Sequence, residues 1–548
     1  MNRDKRRSRY ENILVRAKLS SGIARGATLI AALTVLSRLM GLVRTLVFSQ
    51  SVGAGCLGTA YVTAYQVPNL IYELILGGAL TSAMVPVLAR SAEQADIDPV
   101  QRARVGQITS ALLTWSVILL VPLTVAVAAA ARPIAEVLNP SNPNAHCPHA
   151  QMVSTTSSIL VVFAPQVLLY GVSVVLFGLL QAYRKFGAPA LAPLVANFVL
   201  IGSYLVFVPL DKGLTLVSMP LDAQFALSVG ATLGVAVLVL VAVPPTWRLH
   251  LRLRPTLRLP PGIGRRAGGL AAVGAAELVA IDVANVVVIA LANGRGDTGA
   301  LVIYNYASLA FNAVYAVLAL SIVTSAFPVL SARDGDVFDR TCAGSTRAVL
   351  LAAWLGASVL AAVAVPAAHV LAKHPNQVTE LAAGFVLFAP GVVGIAVVAN
   401  LSRVMFALGR LKIATLGLVG SWLLVIAADL ILGSVAGPTQ IVAALALGTT
   451  IGQTVMAVPL VIITRGIRGP AAVHGLGRVT VVGLVAAAAG AAVGAGICGA
   501  LPLSGRGPAG AAAVLAGACA VLVFCAVAYL LDRRTFIITS RGITADET

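Results

Sequence analysis

Charge is scarce in this sequence. Only 11% of its 548 residues are Asp, Glu, Lys or Arg, against about 25% in ordinary soluble domains, so the chain cannot clothe separate water-exposed domains. Acids are the scarcer sign, 20 against 38 basic residues. A net charge of +18 would point to nucleic acid in a soluble protein. In a membrane chain it follows from basic loops gathered on one side of the bilayer, and no nucleic-acid partner is expected. Catalytic motifs are missing too: there is no glycine-rich phosphate loop, no HExxH, no nucleophile elbow and no carboxylate pair in a soluble loop. With no soluble segment large enough to hydrolyse a nucleotide, the chain is not expected to be an enzyme. Its six cysteines are scattered with no CxxC pair, which argues against a disulfide framework. The sequence His146-Cys147-Pro148-His149 falls short of the four ligands of a closed zinc site, so no metal is expected. The first apolar run lacks the small-residue site of a cleavable signal peptide.

Apolar residues fill the space that charge leaves. They make up 59% of the chain, and the mean hydropathy is +0.94, which defines a polytopic membrane protein. Fourteen apolar runs recur between residues 28 and 531, each bounded by charge, Pro or Gly. With the N-terminus inside, the inner loops hold the basic clusters around Arg102 and Arg104, Arg184 and Lys185, Arg248 to Arg266, Arg333 to Arg347, Arg403 to Lys412 and Arg465 to Arg478. The outer loops hold only Arg132, Lys212, Arg295, Lys373 and Arg506. This alternation supports fourteen spans with both termini cytoplasmic. The expected organisation is a basic tail over 1–26, a first six-span lobe over 27–246 and a basic linker over 247–267. A second six-span lobe over 268–463, two further helices over 464–531 and a tail over 532–548 complete it.

The two lobes read as repeats. Thr81-Ser82-Ala83 followed by Pro86-Val87-Leu88 returns as Thr324-Ser325-Ala326 followed by Pro328-Val329-Leu330, and Phe163-Ala164-Pro165 returns as Phe388-Ala389-Pro390. The fold class is therefore all-α, with about fourteen transmembrane helices in two pseudo-symmetric six-helix lobes plus two C-terminal helices. Many secondary transporters place the substrate between such repeats.

Polar groups inside the spans mark the candidate site. The first span, Ala27 to about Gln50, holds Arg38 and Arg44, each costing about 2.5–3.5 kcal/mol on insertion scales. Ser37, Gly41 and Arg44 lie at i, i+4 and i+7 on one helical face. Two such cations suit a large anion in a cavity; snorkelling, or pairing with an acid, is the alternative. In the second span Gln66, Asn69 and Glu73 form a polar stripe beside Pro68, and the seventh and eleventh spans carry Asp282, Asn285 and Asp429. Each acid can pair with an arginine, hold a coupling cation or carry a proton.

At this point the residues take on a family look. Ser37-Arg38-Leu39-Met40-Gly41-Leu42-Val43-Arg44, Gly53-Ala54-Gly55, Pro68-Asn69-Leu70 and the run from Gly78 to Leu88 resemble the MurJ/MviN family. Its members are lipid II flippases within the multidrug/oligosaccharidyl-lipid/polysaccharide exporter superfamily. The resemblance implies a V-shaped pair of lobes, a lipid-tail groove formed by the last two helices, and alternating access in the bacterial plasma membrane. It implies outward movement of a polyprenyl-diphosphate-linked glycan, with cell-wall synthesis proteins as possible partners. It places Arg38 and Arg44 on the pyrophosphate, with Ser37, Gly41, Gln66, Asn69 and Glu73 around the substrate. Asp282, Asn285 and Asp429 become ion-coupling candidates, the driving force being sodium, protons or the membrane potential. The chain departs from the family at Thr59, where members carry an acid, at Tyr72 and Glu73, where they carry arginines, and at Ser308 and Leu309, where they carry an Asp-Arg pair. These departures keep three alternatives open: a flippase for another polyprenyl-linked glycan, a cation-coupled drug exporter, and a non-transporting cell-wall scaffold.

Overall fold

The computed structural model describes residues 33, 36–74, 98–211, 221–258, 263–332, 334–501 and 505–533, and no strand occurs among them. Helices are the expected solution, because a backbone in lipid must satisfy its own hydrogen bonds. The first lobe comprises α1 (36–51), α2 (Cys56–Leu74), α3 (Pro99–Ala129), the short α4 (Ala131–Leu138), α5 (His149–Phe163), α6 (Pro165–Ala182), α7 (Gly187–Asp211) and α8 (Leu221–Trp247). The second begins with α9 (Ile263–Arg295) and α10 (Ala300–Val314), and a π-helical turn (Tyr315–Leu320) leads into α11 (Ser321–Ser331). It continues through α12 (Gly335–Ala362), α13 (Ala364–Leu371), α14 (Pro375–Ala407), α15 (Leu411–Val435) and α16 (Ile441–Arg468). Two last helices, α17 (Leu476–Ala500) and α18 (Arg506–Leu531), pack on α12.

Among the described residues twelve segments are long and apolar enough to cross a membrane, and they match the third to fourteenth expected spans in order. The first two expected spans reach outside the described residues; α1 and the 19-residue α2 are their described parts. The outward faces of these helices are apolar, as at Val514 (73% exposed) and Leu522 (69%), because lipid and not water lies against them.

The repeat shows in the packing. Phe163 meets Tyr61 edge-on at 5.6 Å in the first lobe, and Phe388 meets Tyr304 at 5.6 Å in the second. Tyr61 and Tyr304 stand at the same sequence offset as Thr81 and Thr324. Both phenylalanines are fully buried. Ala164 keeps helical dihedrals (φ −50°, ψ −42°) between α5 and α6, and Ala389 lies within α14. The first Thr-Ser-Ala copy lies outside the described residues; the second sits in α11.

The basic linker leaves α8 and runs extended along α3. Arg254 N donates to Ser110 Oγ (3.0 Å), Thr256 N to Thr114 Oγ1 (3.2 Å), and Trp115 Nε1 to Leu257 O (3.3 Å). The register follows from geometry, since two extended residues advance about 6.6 Å and four helical residues about 6.0 Å.

The lobes are joined at the end opposite the basic loops. Asn142 Nδ2 donates to Asn293 O and Gly296 O (both 2.8 Å), His146 N to Thr298 Oγ1 (3.0 Å), Gln377 Nε2 to Ala54 O (2.9 Å) and Gln50 Nε2 to Val370 O (3.0 Å). A disulfide joins Cys56 to Cys147 at this end, correcting the expectation drawn from cysteine spacing. Its partners are 91 residues apart, with Cα atoms 5.7 Å apart. Only the docking of the loop after α4 on the start of α2 brings them together. His149 Nε2 contacts Asn139 O at 2.9 Å, so the His-Cys-Pro-His sequence is occupied by structural contacts. The remaining four cysteines are free.

Disulfides persist in oxidising compartments, which suits an outward-facing end. A membrane-impermeant maleimide applied to intact cells should label Cys56 and Cys147 only after reduction. A cysteine replacing Arg258 should stay unlabelled in both conditions. Labelling without reductant would disprove the bond, and labelling at position 258 would reverse the sidedness.

Candidate functional site

Between the lobes lies a cavity of about 270 Å³. Helices α1, α2 and α7 form one wall with Arg44, Thr45, Phe48, Tyr61, Tyr65, Gln66 and Tyr204; α10 forms the other with Asn305, Tyr306, Ser308, Leu309 and Asn312. Arg44 lies about 9 Å along α1 from Gln50, six residues at about 1.5 Å each. Tyr61, Tyr65 and Tyr204 lie around its guanidinium. Among the described residues no acid lines the cavity and no carboxylate pairs with Arg44.

The structure divides the expected residues. Arg44 and Gln66 line the cavity; Arg38 is exposed and does not. Ser37 is half-buried one turn beyond Gly41, and a side chain at Gly41 would meet open space. Gln66 bridges the lobes, Nε2 donating to Asn305 Oδ1 at 3.1 Å. Asn69 turns back into its own lobe, donating to Tyr65 O (3.0 Å) and accepting from Tyr170 Oη (3.1 Å). Glu73 is exposed, within electrostatic reach of Asp282, and outside the cavity. The stripe expected from Gln66, Asn69 and Glu73 is thus split, because Asn69 is captured by α6.

The coupling candidates are also separated. Asp282 on α9 is 7% exposed, with both oxygens unpartnered, and looks toward α2. Asn285, one turn on, is half-buried. Asp429 on α15 is fully buried with both oxygens unpartnered, and packs against Gly448 of α16. Two buried carboxylates without partners are costly to keep charged.

The tyrosine wall, Asn305 and Asn312 were not singled out in the sequence, and Ser308 and Leu309 only as departures from the resembled family. Asn305, Ser308 and Asn312 fall at i, i+3 and i+7, so their shared face was legible, but nothing in the spacing said that it meets Arg44. A second cavity, about 40 Å³ between Thr59, Asn139, Asn142 and Asn293 at the joined end, is on the scale of an ordered water or two and cannot hold a large substrate.

Two helical lobes around a polar central cavity, with two helices appended, define a multi-pass membrane protein of the exporter fold shared by MurJ and multidrug MATE transporters. A solved lipid II flippase MurJ in its inward closed conformation superposes with a TM-score of 0.72 over 92% of this chain and 99% of that one, at 16% identity. An inward-facing multidrug resistance MATE family transporter superposes at 0.63 over 81% and 98%, at 13% identity; both likenesses concern the fold. The family model for lipid II flippase MurJ matches residues 48–499, and the chain belongs to that family. A lipid II flippase MurJ of Burkholderia cenocepacia is 25% identical over 70% of this chain and 73% of its own length. A probable lipid II flippase MurJ of Synechocystis is 26% identical over 44% of each. This is a family of flippase transporters and not of catalytic enzymes.

Proposed function

We propose that this chain moves a polyprenyl-diphosphate-linked glycan, lipid II or a close relative, from the inner to the outer leaflet of the bacterial plasma membrane, with both termini inside. The observation that carries this reading is Arg44: a guanidinium in the inter-lobe cavity, set among tyrosines, with no carboxylate paired to it among the described residues. A cation whose neighbours are neutral hydroxyls and not an internal carboxylate is held ready for an anion brought by the cargo, and its planar fork suits phosphate oxygens. The hydrogen bonds that join the lobes among the described residues lie at the cavity and the end beyond it. Breaking these while the opposite ends meet would expose the same cavity to the other side, which is alternating access. A drug exporter is less well supported, since an acid-free cavity holding a cation repels cationic drugs.

The driving force we assign is an ion gradient or the membrane potential, which is worth about 2.3 kcal/mol per charge per 100 mV. Asp429, and separately Asp282, would hold the coupling proton or cation. The test is complementation of a flippase-depleted bacterium, with lipid-linked precursors assayed on each leaflet. Rescue with export of precursor is expected; precursor trapped inside despite the protein reaching the membrane would overturn the reading. In the same cells, replacing both Asp282 and Asp429 with Asn should remove the dependence of export on the gradient. Unchanged dependence would take both residues out of the mechanism.

A further inference from the structure

We infer that the cavity contains, beside Arg44, a subsite that recognises the first sugar ring of the cargo and not only its diphosphate. The inference rests on the reading given above and deepens it. Its physical basis is the contrast between the two cavity walls. The wall from the first lobe is aromatic: Tyr61 and Tyr65 are stacked with centroids 6.1 Å apart and planes within 6°, and Tyr61 Oη lies 3.3 Å from Tyr204 Oη. Tyr61 and Tyr204 are buried behind, and Tyr65 is the half-buried ring of the three. The facing wall is a stripe of neutral hydrogen-bonding groups, Asn305, Ser308 and Asn312.

Their engagements differ along the stripe. Asn305 is engaged at both ends, donating to Leu301 O and accepting from Gln66. Asn312 is exposed, and its Nδ2 donates to Ser308 O at 2.9 Å and Ser308 Oγ at 3.2 Å. That arrangement presents the Asn312 carbonyl oxygen and the Ser308 hydroxyl for further bonds. A pyranose needs this pairing of surfaces. Its C–H face packs on an aromatic ring, and its rim of hydroxyl and acetamido groups pairs with amides and hydroxyls. A drug-like cation would find no acid among the described lining residues, and a bare diphosphate would engage Arg44 but neither the open face of Tyr65 nor the Asn312 carbonyl oxygen. The π-helical turn that follows Val314 lies directly beyond Asn312, and such turns recur at functional sites. Ser308 and Leu309 both line this wall.

The experiment compares two probes on the purified full-length protein in detergent: undecaprenyl diphosphate, and undecaprenyl diphosphate bearing one N-acetylhexosamine. Wild type should bind the sugar-bearing probe roughly tenfold more tightly, the scale of one or two net hydrogen bonds. Asn312→Leu should remove most of that preference while leaving affinity for the bare diphosphate within about twofold. Tyr65→Ala should also remove the preference, with some loss of diphosphate affinity because the Tyr65 hydroxyl reaches Arg44. Tyr65→Phe, which keeps the ring, should retain the preference, and it guards against a general packing defect. Equal binding of both probes by wild type, with Arg44 still required, would overturn the sugar subsite and leave the diphosphate reading standing. A parallel loss of both affinities in Asn312→Leu would overturn it too. Binding of neither probe would overturn both readings together.

Discussion

Arg44→Ala is expected to abolish outward movement of lipid-linked precursor, with the precursor building up on the inner leaflet. Charge-assisted hydrogen bonds contribute about 1.5–3 kcal/mol each, so losing one or two of them should weaken polyprenyl diphosphate binding at least tenfold. Arg44→Lys should recover part of the activity, because an ammonium restores the charge but not the fixed fork. The folded protein should tolerate either change: with no carboxylate paired to Arg44 among the described residues, its removal leaves none of them stranded. Thermal stability in detergent should therefore stay level or rise. Arg38→Ala should have the smaller effect, since Arg38 is exposed and lies outside the cavity. This ordering differs from the equal roles that the first-span sequence implies, and the structure is the reason. If purified Arg44→Ala protein binds undecaprenyl diphosphate as tightly as wild type, the central site is misplaced.

The second large effect is expected at Gly299, which caps the N-terminus of α10 with φ +90°. A side chain there meets two obstacles. The left-handed conformation itself costs about 1–3 kcal/mol for a non-glycine residue. A Cβ would also fall 2.2 Å from Ala54 O in the other lobe, so that loop has to move away. Ala54 O also accepts the bond from Gln377 (2.9 Å), and that contact between the lobes would be disturbed with it. Gly299→Val should accordingly favour the state in which the joined end is open. A cysteine placed at Leu309, which lines the cavity, should then react with an impermeant maleimide from outside at least about tenfold faster, a shift of roughly 1.4 kcal/mol. Equal labelling rates in a Gly299→Val protein that reaches the membrane would show that this contact does not hold the end shut.

Much of the chain was legible in order. Lipid admits only self-satisfied helices, so apolar runs of sufficient length and alternating loop charge led directly to helices in the right sequence. The Phe-Ala-Pro repeat pointed to equivalent positions, and Phe163 and Phe388 do pack on equivalent tyrosines. Where spacing misled, the cause was contact between helices far apart in the chain. Asn69 shares a helical face with Gln66, but Tyr170 captures it. Cys56 and Cys147 share no motif, but two loops carry them to the same end.

The sequence by itself determined the membrane class, the order of the helices, the two-lobed plan, the family and the presence of Arg44 as a cation inside the first span. Each of these depends on periodicity, hydropathy or a local motif, and those are written along one dimension. Tertiary structure alone decided that Arg44 faces the cavity while Arg38 does not, that Asp282 and Asp429 stand apart, and that tyrosines oppose an amide stripe. A helix of 3.6 residues per turn offers every direction to some neighbour. Which direction becomes cavity, core or lipid depends on where the other helices stand.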